Sequence, residues 1–317
     1  MNRRTALHAL TYLSGLAAYG GTAWAQDKPG RPKLRMPDFN AIPIRSQELA
    51  PGLHLITGPG GNIAAVIASE GVALIDSSVP PKAAELKAAV GRLSDRPVRF
   101  LLNTHWHFDH VGGNEIFGQS GTVIVAHHNC RKRLASAQTI AFLDTKFPPS
   151  PKPALPVVTF GDTGAVHNGD TVIEAVYVPS AHTDTDVAYR LPRFDVVHAG
   201  DLFFNGFYPF IDYSTGGDLE GWIIGLKKVL EMVGARTQII PGHGPMAKKA
   251  DLVAFRDMLT QVRDRIKPLI EQGKSLQEVI VAKPTQPLDD KWGKGALTPD
   301  GFVQMVYEGM TAKKGQV

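Results

Sequence analysis

Apolar residues occur in short alternating or continuous runs along most of the chain, separated by glycine, proline and acidic punctuation. LHLIT (53–57), IAAVIAS (63–69) and VALID (72–76), parted by GPGGN and EG, predict a meander of three strands. PKAAELKAAVGRL (81–93) has helical spacing behind a Pro80-Pro81 start and predicts a helix. VRFLLNT (98–104) is almost continuously apolar and predicts a buried strand. The second half repeats the style. Strands are predicted at TVIVA (122–126), VVTF (157–160), TVIEAVYV (171–178), DVAYRL (186–191) and DVVHAGD (195–201). An amphipathic helix, DLEGWIIGLKKVLEMV (218–233), and a strand, TQIIP (237–241), complete it. Strands dominate each half with helices between them, so the expectation is an α/β protein in which two sheets pack together with helices outside. The weak likeness of the halves is what an internal duplication would leave.

Both ends depart from this pattern. Residues 1–25 join Arg3 and Arg4, an apolar stretch and Ala23-Trp24-Ala25, the layout of a cleaved export signal. The adjacent arginines point to the twin-arginine route and a periplasmic location. Residues 26–48 are rich in proline and read as an extended linker or arm, with the main domain over 49–250. From residue 251 to 317 the pattern is helical apart from a long loop, KPTQPLDDKWGKGALTPD (283–300), and reads as a C-terminal helical cap.

Composition narrows the function. The chain has 317 residues, 34 basic and 30 acidic, and two of the basic ones fall inside the export signal, so the mature chain is close to neutral apart from its histidines. No basic stripe tracks a phosphate backbone, which argues against nucleic acid. No membrane anchor is expected once the signal is removed. Cys130 is the only cysteine, so no intrachain disulfide can form; it reads as a small buried hydrophobe.

The chemistry concentrates in NTHWHFDHVGGNEIF (103–117), with three histidines and an aspartate in six residues directly after a buried strand. An extended chain would send His105, His107 and Asp109 to one face. His110 breaks that parity, so the chain turns there, with Gly112-Gly113 supplying the freedom. Further polar residues follow predicted strands: His182 in PSAHTDTD, Asp201 in VVHAGD and His243 in PGHGP. Imidazole and carboxylate are the ligands zinc prefers. The set closes as two sites: His105, His107 and His182 for one metal, Asp109, His110 and His243 for the other, and Asp201 between them. His54, His127, His128, His167 and His198 lack a complementary pattern and read as surface, core or supporting residues.

THWHFDHVGGN, SAHTDTD, AGDLFF and PGHGP, in this order, resemble the signature blocks of the metallo-β-lactamase-fold hydrolases over about residues 50–250. The resemblance implies a four-layer αββα sandwich with a dinuclear, usually zinc, site at one edge, and ligand roles for those seven residues. The broad-spectrum β-lactamases of that superfamily have a cysteine where Asp201 stands and a lysine where Phe204 stands. An aspartate is instead the pattern of hydroxyacylglutathione hydrolases, lactonases and related enzymes. Replacing thiolate by carboxylate also makes manganese or iron acceptable. The expected activity is therefore dinuclear zinc-dependent hydrolysis at an acyl carbon by a metal-bridging hydroxide, oriented by Asp109. The substrate is a small acyl molecule: a lactone, ester, thioester or β-lactam, with export favouring the non-glutathione compounds. Asn62 and Tyr208 are candidates for the pocket wall. The competing reading is a metal-loaded binding or relay protein of an exported pathway without turnover. Sequence does not decide the oligomeric state.

Overall fold

The structure, a computed structural model, describes residues 37–312. The expected export signal and residues 26–36 of the expected arm lie outside the described residues. The first sheet has seven strands, in spatial order β1-β2-β3-β4-β5-β6-β9. These are β1 (Arg45–Ala50), β2 (Leu53–Thr57), β3 (Ile63–Ala68), β4 (Gly71–Ile75), β5 (Val98–Leu102), β6 (Val123–His127) and, after a hairpin of β7 (Gln138–Ile140) with β8 (Thr145–Phe147), β9 (Val158–Phe160). Its first four strands are antiparallel, whereas β4, β5, β6 and β9 run parallel. The second sheet has five strands: β10 (Thr163–Asn168), β11 (Thr171–Tyr177), β12 (Val187–Leu191), β13 (Val196–Phe204) and β14 (Gln238–His243).

The period-two alternation of each strand sorts its residues into layers. In β4, Ala73 and Ile75 face the second sheet, where they join Ile173, Val187, Tyr189 and Ile240. Val72 and Leu74 face outward, onto Leu86, Ala89 and Val90 of helix α1 (Ala83–Leu93). Three short helices follow in the first half: α2 (Phe108–Val111), α3 (Asn114–Gly118) and α4 (His128–Leu134). The outer face of the second sheet, Val197, Ala199 and Phe203, packs on Trp222 and Leu226 of α5 (Leu219–Glu231). The same cluster takes Phe255 and Leu259 from α6 (Lys249–Glu271) and, beyond α7 (Leu276–Val281) and α8 (Asp289–Trp292), Phe302 and Val306 from α9 (Pro299–Thr311). Helix, sheet, sheet, helix is the expected αββα sandwich, and the C-terminal helices extend one outer layer.

Four features differ from the sequence expectation. Residues 45–48, expected in the arm, are the first four of β1, and β10 and the β7–β8 hairpin were not anticipated. Both β1 and β10 are edge strands; β1 is mostly exposed and needs no apolar alternation, while β10 does alternate but turns only glycine, Val166 and Asn168 inward, too few apolar residues to mark a strand. Within the expected C-terminal loop, residues 289–292 close a single helical turn.

Candidate metal centre

Strand ends deliver the centre. β5 stops at Leu102, and His105 and His107 follow on a short bent segment. The turn comes earlier than expected: α2 begins at Phe108, with the N–H groups of His110 and Val111 both donating to His107 O. One helical turn therefore carries Asp109 and His110 away from the line of His105 and His107. The following glycines do not supply the turn, since Gly112 is ordinary right-handed helix at φ −61°. They permit close approach: a Cβ on Gly112 would lie 2.3 Å from Pro80 N and 2.4 Å from Val79 C.

His182 stands on the loop after β11, pinned by Asp186, whose carboxylate accepts from Thr183 N and Thr183 Oγ1, both at 2.8 Å. Asp201 lies inside β13, which runs on to Phe204 and does not end at the aspartate as the pattern predicted. His243 closes β14, and a Cβ on the neighbouring Gly242 would meet Asp201 Oδ1 at 2.0 Å, so only glycine admits the carboxylate there.

The seven residues meet in two groups. His105, His107, His182 and Asp201 place donor atoms within 4.8 Å of one another, and Asp109, His110 and His243 do the same. Asp201 reaches both groups. Its Oδ2 is 3.4 Å from His182 Nε2 and 3.8 Å from His105 Nε2, while Oδ1 is 3.1 Å from His110 Nε2 and 3.4 Å from His243 Nε2. Asp109 Oδ2 lies 3.3 Å from His243 Nε2 and is the more open carboxylate, 18% exposed against 4% for Asp201.

Partners behind each ring decide which nitrogen faces inward. His107 Nε2 donates to Asp212 Oδ2 (3.0 Å), and His182 Nδ1 donates to Phe210 O (2.7 Å). His110 Nδ1 donates to Asp76 Oδ2 (2.8 Å). His105 Nδ1 donates to Thr104 Oγ1 (3.0 Å), whose hydroxyl donates in turn to Asp76 Oδ2 (2.7 Å). The inward nitrogens of His107 and His182 are thus both lone-pair bearers, yet they lie 2.8 Å apart. Two lone pairs at that distance repel unless a proton or a cation sits between them. One further buried atom, His105 Nε2, makes no hydrogen bond. A buried acceptor without a donor costs about 1–3 kcal/mol, and a cation among these imidazoles removes that cost. The donor set fits a metal pair.

Burial pushes His105 well below the ordinary histidine value and His182 down to about 4, so both imidazoles are neutral at pH 7. The other group is opposite in character. Burial works against the charge on His110, but Asp201, Asp109 and Asp76 raise it well above its usual value; His243, partly exposed, rises to about 9 beside Asp201 and Asp109. Burial likewise disfavours the Asp109 carboxylate, yet His110 and His243 hold it at about 2.

The two expected wall residues lie elsewhere in role. Tyr208 is buried, stacks on Phe302 with ring centroids 4.5 Å apart and donates to Asp289 Oδ1 at 2.8 Å. It packs the C-terminal helices against the sheet; the irregular run LFFNGFYPF has no period from which its inward facing could be read. Asn62 Nδ2 donates to Pro241 O and Gly244 O, both at 2.9 Å, so it braces the loop carrying His243. His198 is a supporting residue, its Nε2 donating to Asn62 O. Asp76, Thr104 and Asp212 escaped sequence reasoning. Each is a lone polar residue beside a strand or turn, and only its ring partner gives it meaning.

Residues 56–245 match the family described as the metallo-beta-lactamase superfamily. The "Metallo-beta-lactamase type 2" of Bacillus cereus is 25% identical over 195 residues, covering 60% of this chain and 70% of that protein. The hydroxyacylglutathione hydrolase of Erythrobacter litoralis is 32% identical over 219 residues, covering 63% of this chain and 75% of the relative. Among solved structures, a metallo-beta-lactamase from Pontibacter korlensis superposes with a TM-score of 0.58 at 19% identity, over 68% of this chain and 99% of that one. With the αββα layers and the paired His/Asp groups at the strand ends, these matches place the chain in the metallo-beta-lactamase superfamily as a metal-dependent hydrolase.

Proposed function

We propose that this chain is an exported, dinuclear zinc hydrolase that attacks the acyl carbon of a small ester, lactone, thioester or β-lactam. The observation that carries the reading is the Asp201 carboxylate reaching both donor groups, with one oxygen toward each. Five imidazoles and two carboxylates form a donor set suited to zinc; the absence of thiolate leaves manganese or iron as alternatives. Two such cations would supply an acidified water and polarise the acyl carbonyl. The protein's own residues would do the rest. His105, His107 and His182 would hold one ion, and His110, His243 and Asp109 the other, with Asp201 within reach of both groups. Asp109, the more open of the two carboxylates, would orient the attacking water while it ligates. Asp76 and Asp212 keep His110 and His107 in the tautomers that ligation needs.

The mature chain should contain about two zinc ions by elemental analysis. It should hydrolyse chromogenic esters, lactones or a cephalosporin, with activity lost to a chelator and restored by zinc. Full activity after exhaustive metal removal, or in the His105→Ala variant, would overturn the assignment. Fractionation of cells expressing the full chain tests export: the reading requires the enzyme in the periplasm and its retention inside when Arg3 and Arg4 are replaced by lysine.

A further inference from the structure

The histidines of the centre are flanked by aromatic rings, and some of those rings reach solvent. Phe210 stands edge-on to both His107 and His182, with centroids 6.2 Å away in each case. Phe204 stacks on His243 at 5.2 Å and lies 5.8 Å from His182. Outward from these, Phe142 contacts Phe210 at 5.9 Å, and Phe207 contacts Phe204 at 5.8 Å. Phe204 is buried, whereas Phe142, Phe207 and Phe210 remain partly exposed. The order Phe142, Phe210, His182, Phe204, Phe207 therefore forms an arc of rings beside the donor atoms.

The arc is built from separate elements that are tied together. Phe142 comes from the loop of the β7–β8 hairpin, where Ala141 N donates to Ser214 Oγ at 3.0 Å. Ser214 also donates to Asp212, the carboxylate behind His107. Phe207 rests against the C-terminal segment at Gly295, where a Cβ would come within 2.6 Å of it. The most exposed large apolar residues, Val157, Val158, Ile224 and Val281, lie in other elements. Partly exposed phenylalanines gathered beside convergent polar atoms are the composition of a ligand pocket, which is lined by aromatic side chains around a few polar groups.

We propose that the acyl substrate carries an apolar alkyl or aryl group of several carbons, seated against Phe142, Phe207 and Phe210. The inference rests on the acyl-hydrolase reading and adds the substrate class: hydrophobic esters or lactones in preference to those with small acyl groups. Each methylene buried against the rings adds binding worth about a three- to fourfold change in affinity.

The test uses the zinc-loaded mature chain and p-nitrophenyl esters from acetate to decanoate, together with calorimetric binding of the n-alkanoates of the same lengths. The expected result is a kcat/KM that climbs with each added methylene until the arc is filled, and the same trend in alkanoate affinity. Phe142→Ala should flatten both slopes while metal content stays at the wild-type value. Phe207→Ala serves the same purpose should the first variant fold poorly. A flat series, or one that favours acetate, overturns the apolar wall while leaving acyl hydrolysis standing. Alkanoate binding that strengthens with length in a protein that cleaves none of the esters supports the wall and counts against the acyl reading.

Discussion

Asp212 shows how much of this centre depends on atoms one step removed from it. Its carboxylate accepts from His107 Nε2 and is itself held by Ser214 and Thr215, so the ring has one orientation and one tautomer. Asp212→Ala leaves that N–H buried without an acceptor, and zinc affinity in chelator competition should fall about 10- to 100-fold, with Asp212→Asn falling less. Unchanged affinity would show that the contact is dispensable. The two donor groups also differ in how protons compete for them. His110 and His243 have raised values in the metal-free protein, so at pH 7 they are protonated and a metal must displace those protons. His105 and His182 are already neutral. Lowering the pH should therefore expel the metal at Asp109, His110 and His243 first, and proton release on loading at pH 7, followed with an indicator, should come mainly from that group. Cys130 makes a third case at this scale. It is fully buried, and burial, helped by Asp76, Asp184 and Asp186, raises its thiol well above the ordinary value. Aromatic disulfide reagents should leave it untouched in the native protein at pH 8 and titrate it fully in guanidinium. The residue scale is also where sequence was most informative. All seven residues of the two groups were legible because histidine and aspartate clustered after apolar runs have few other uses. Their supports Asp76, Thr104 and Asp212 were not, because a single acid at a strand end is also an ordinary turn residue.

Among the elements, α2 carries the greatest functional weight for its size. Its four residues position Asp109 and His110, and its C-terminal end is pressed against the backbone of Val79 and Pro80. Gly112→Ala sets a methyl carbon against main-chain atoms that have no rotamer to yield, so the helix itself has to move. The expected loss is about 1–3 kcal/mol of stability, with the metal at Asp109, His110 and His243 lost before the other, as read by thermal unfolding and metal counting. A variant with wild-type melting temperature and two metals would mean that the loop absorbs the methyl group. The sequence gives no warning of this contact: Gly-Gly after a polar run reads as a turn, and only the packing of two distant segments shows it to be a point of contact. The same limit explains β1 and β10. β1 carries the polar residues of a loop and β10 places a single large apolar residue, Val166, inward, whereas the interior strands declare themselves through two-sided burial.

On the scale of the whole molecule, the boundary expected near residue 250 separates a fold from an appendage in sequence but not in packing. Trp222 is the hinge of that argument. It lies 5.8 Å from His182 on one side and 5.7 Å from Phe255 on the other, both edge to face, so the centre and the C-terminal layer share one chain of aromatic contacts. Phe255, Leu259, Phe302 and Val306 are all buried in the cluster that contains Phe203 and Leu226. Removing α6 to α9 exposes those side chains' partners, at about 1.5–3 kcal/mol for each large apolar residue uncovered. Several such losses match the ~5–15 kcal/mol that separates folded from unfolded domains. A chain ending at residue 248 should therefore be insoluble or molten, binding dyes that report exposed apolar surface, even though every proposed metal donor is retained. Reintroducing residues 249–317 as a separate chain should restore solubility only to the extent that it docks. Were the shortened chain instead soluble, cooperative in unfolding and loaded with two metals, the C-terminal helices would be an accessory layer, and the centre would be supported by the two sheets and α5 alone.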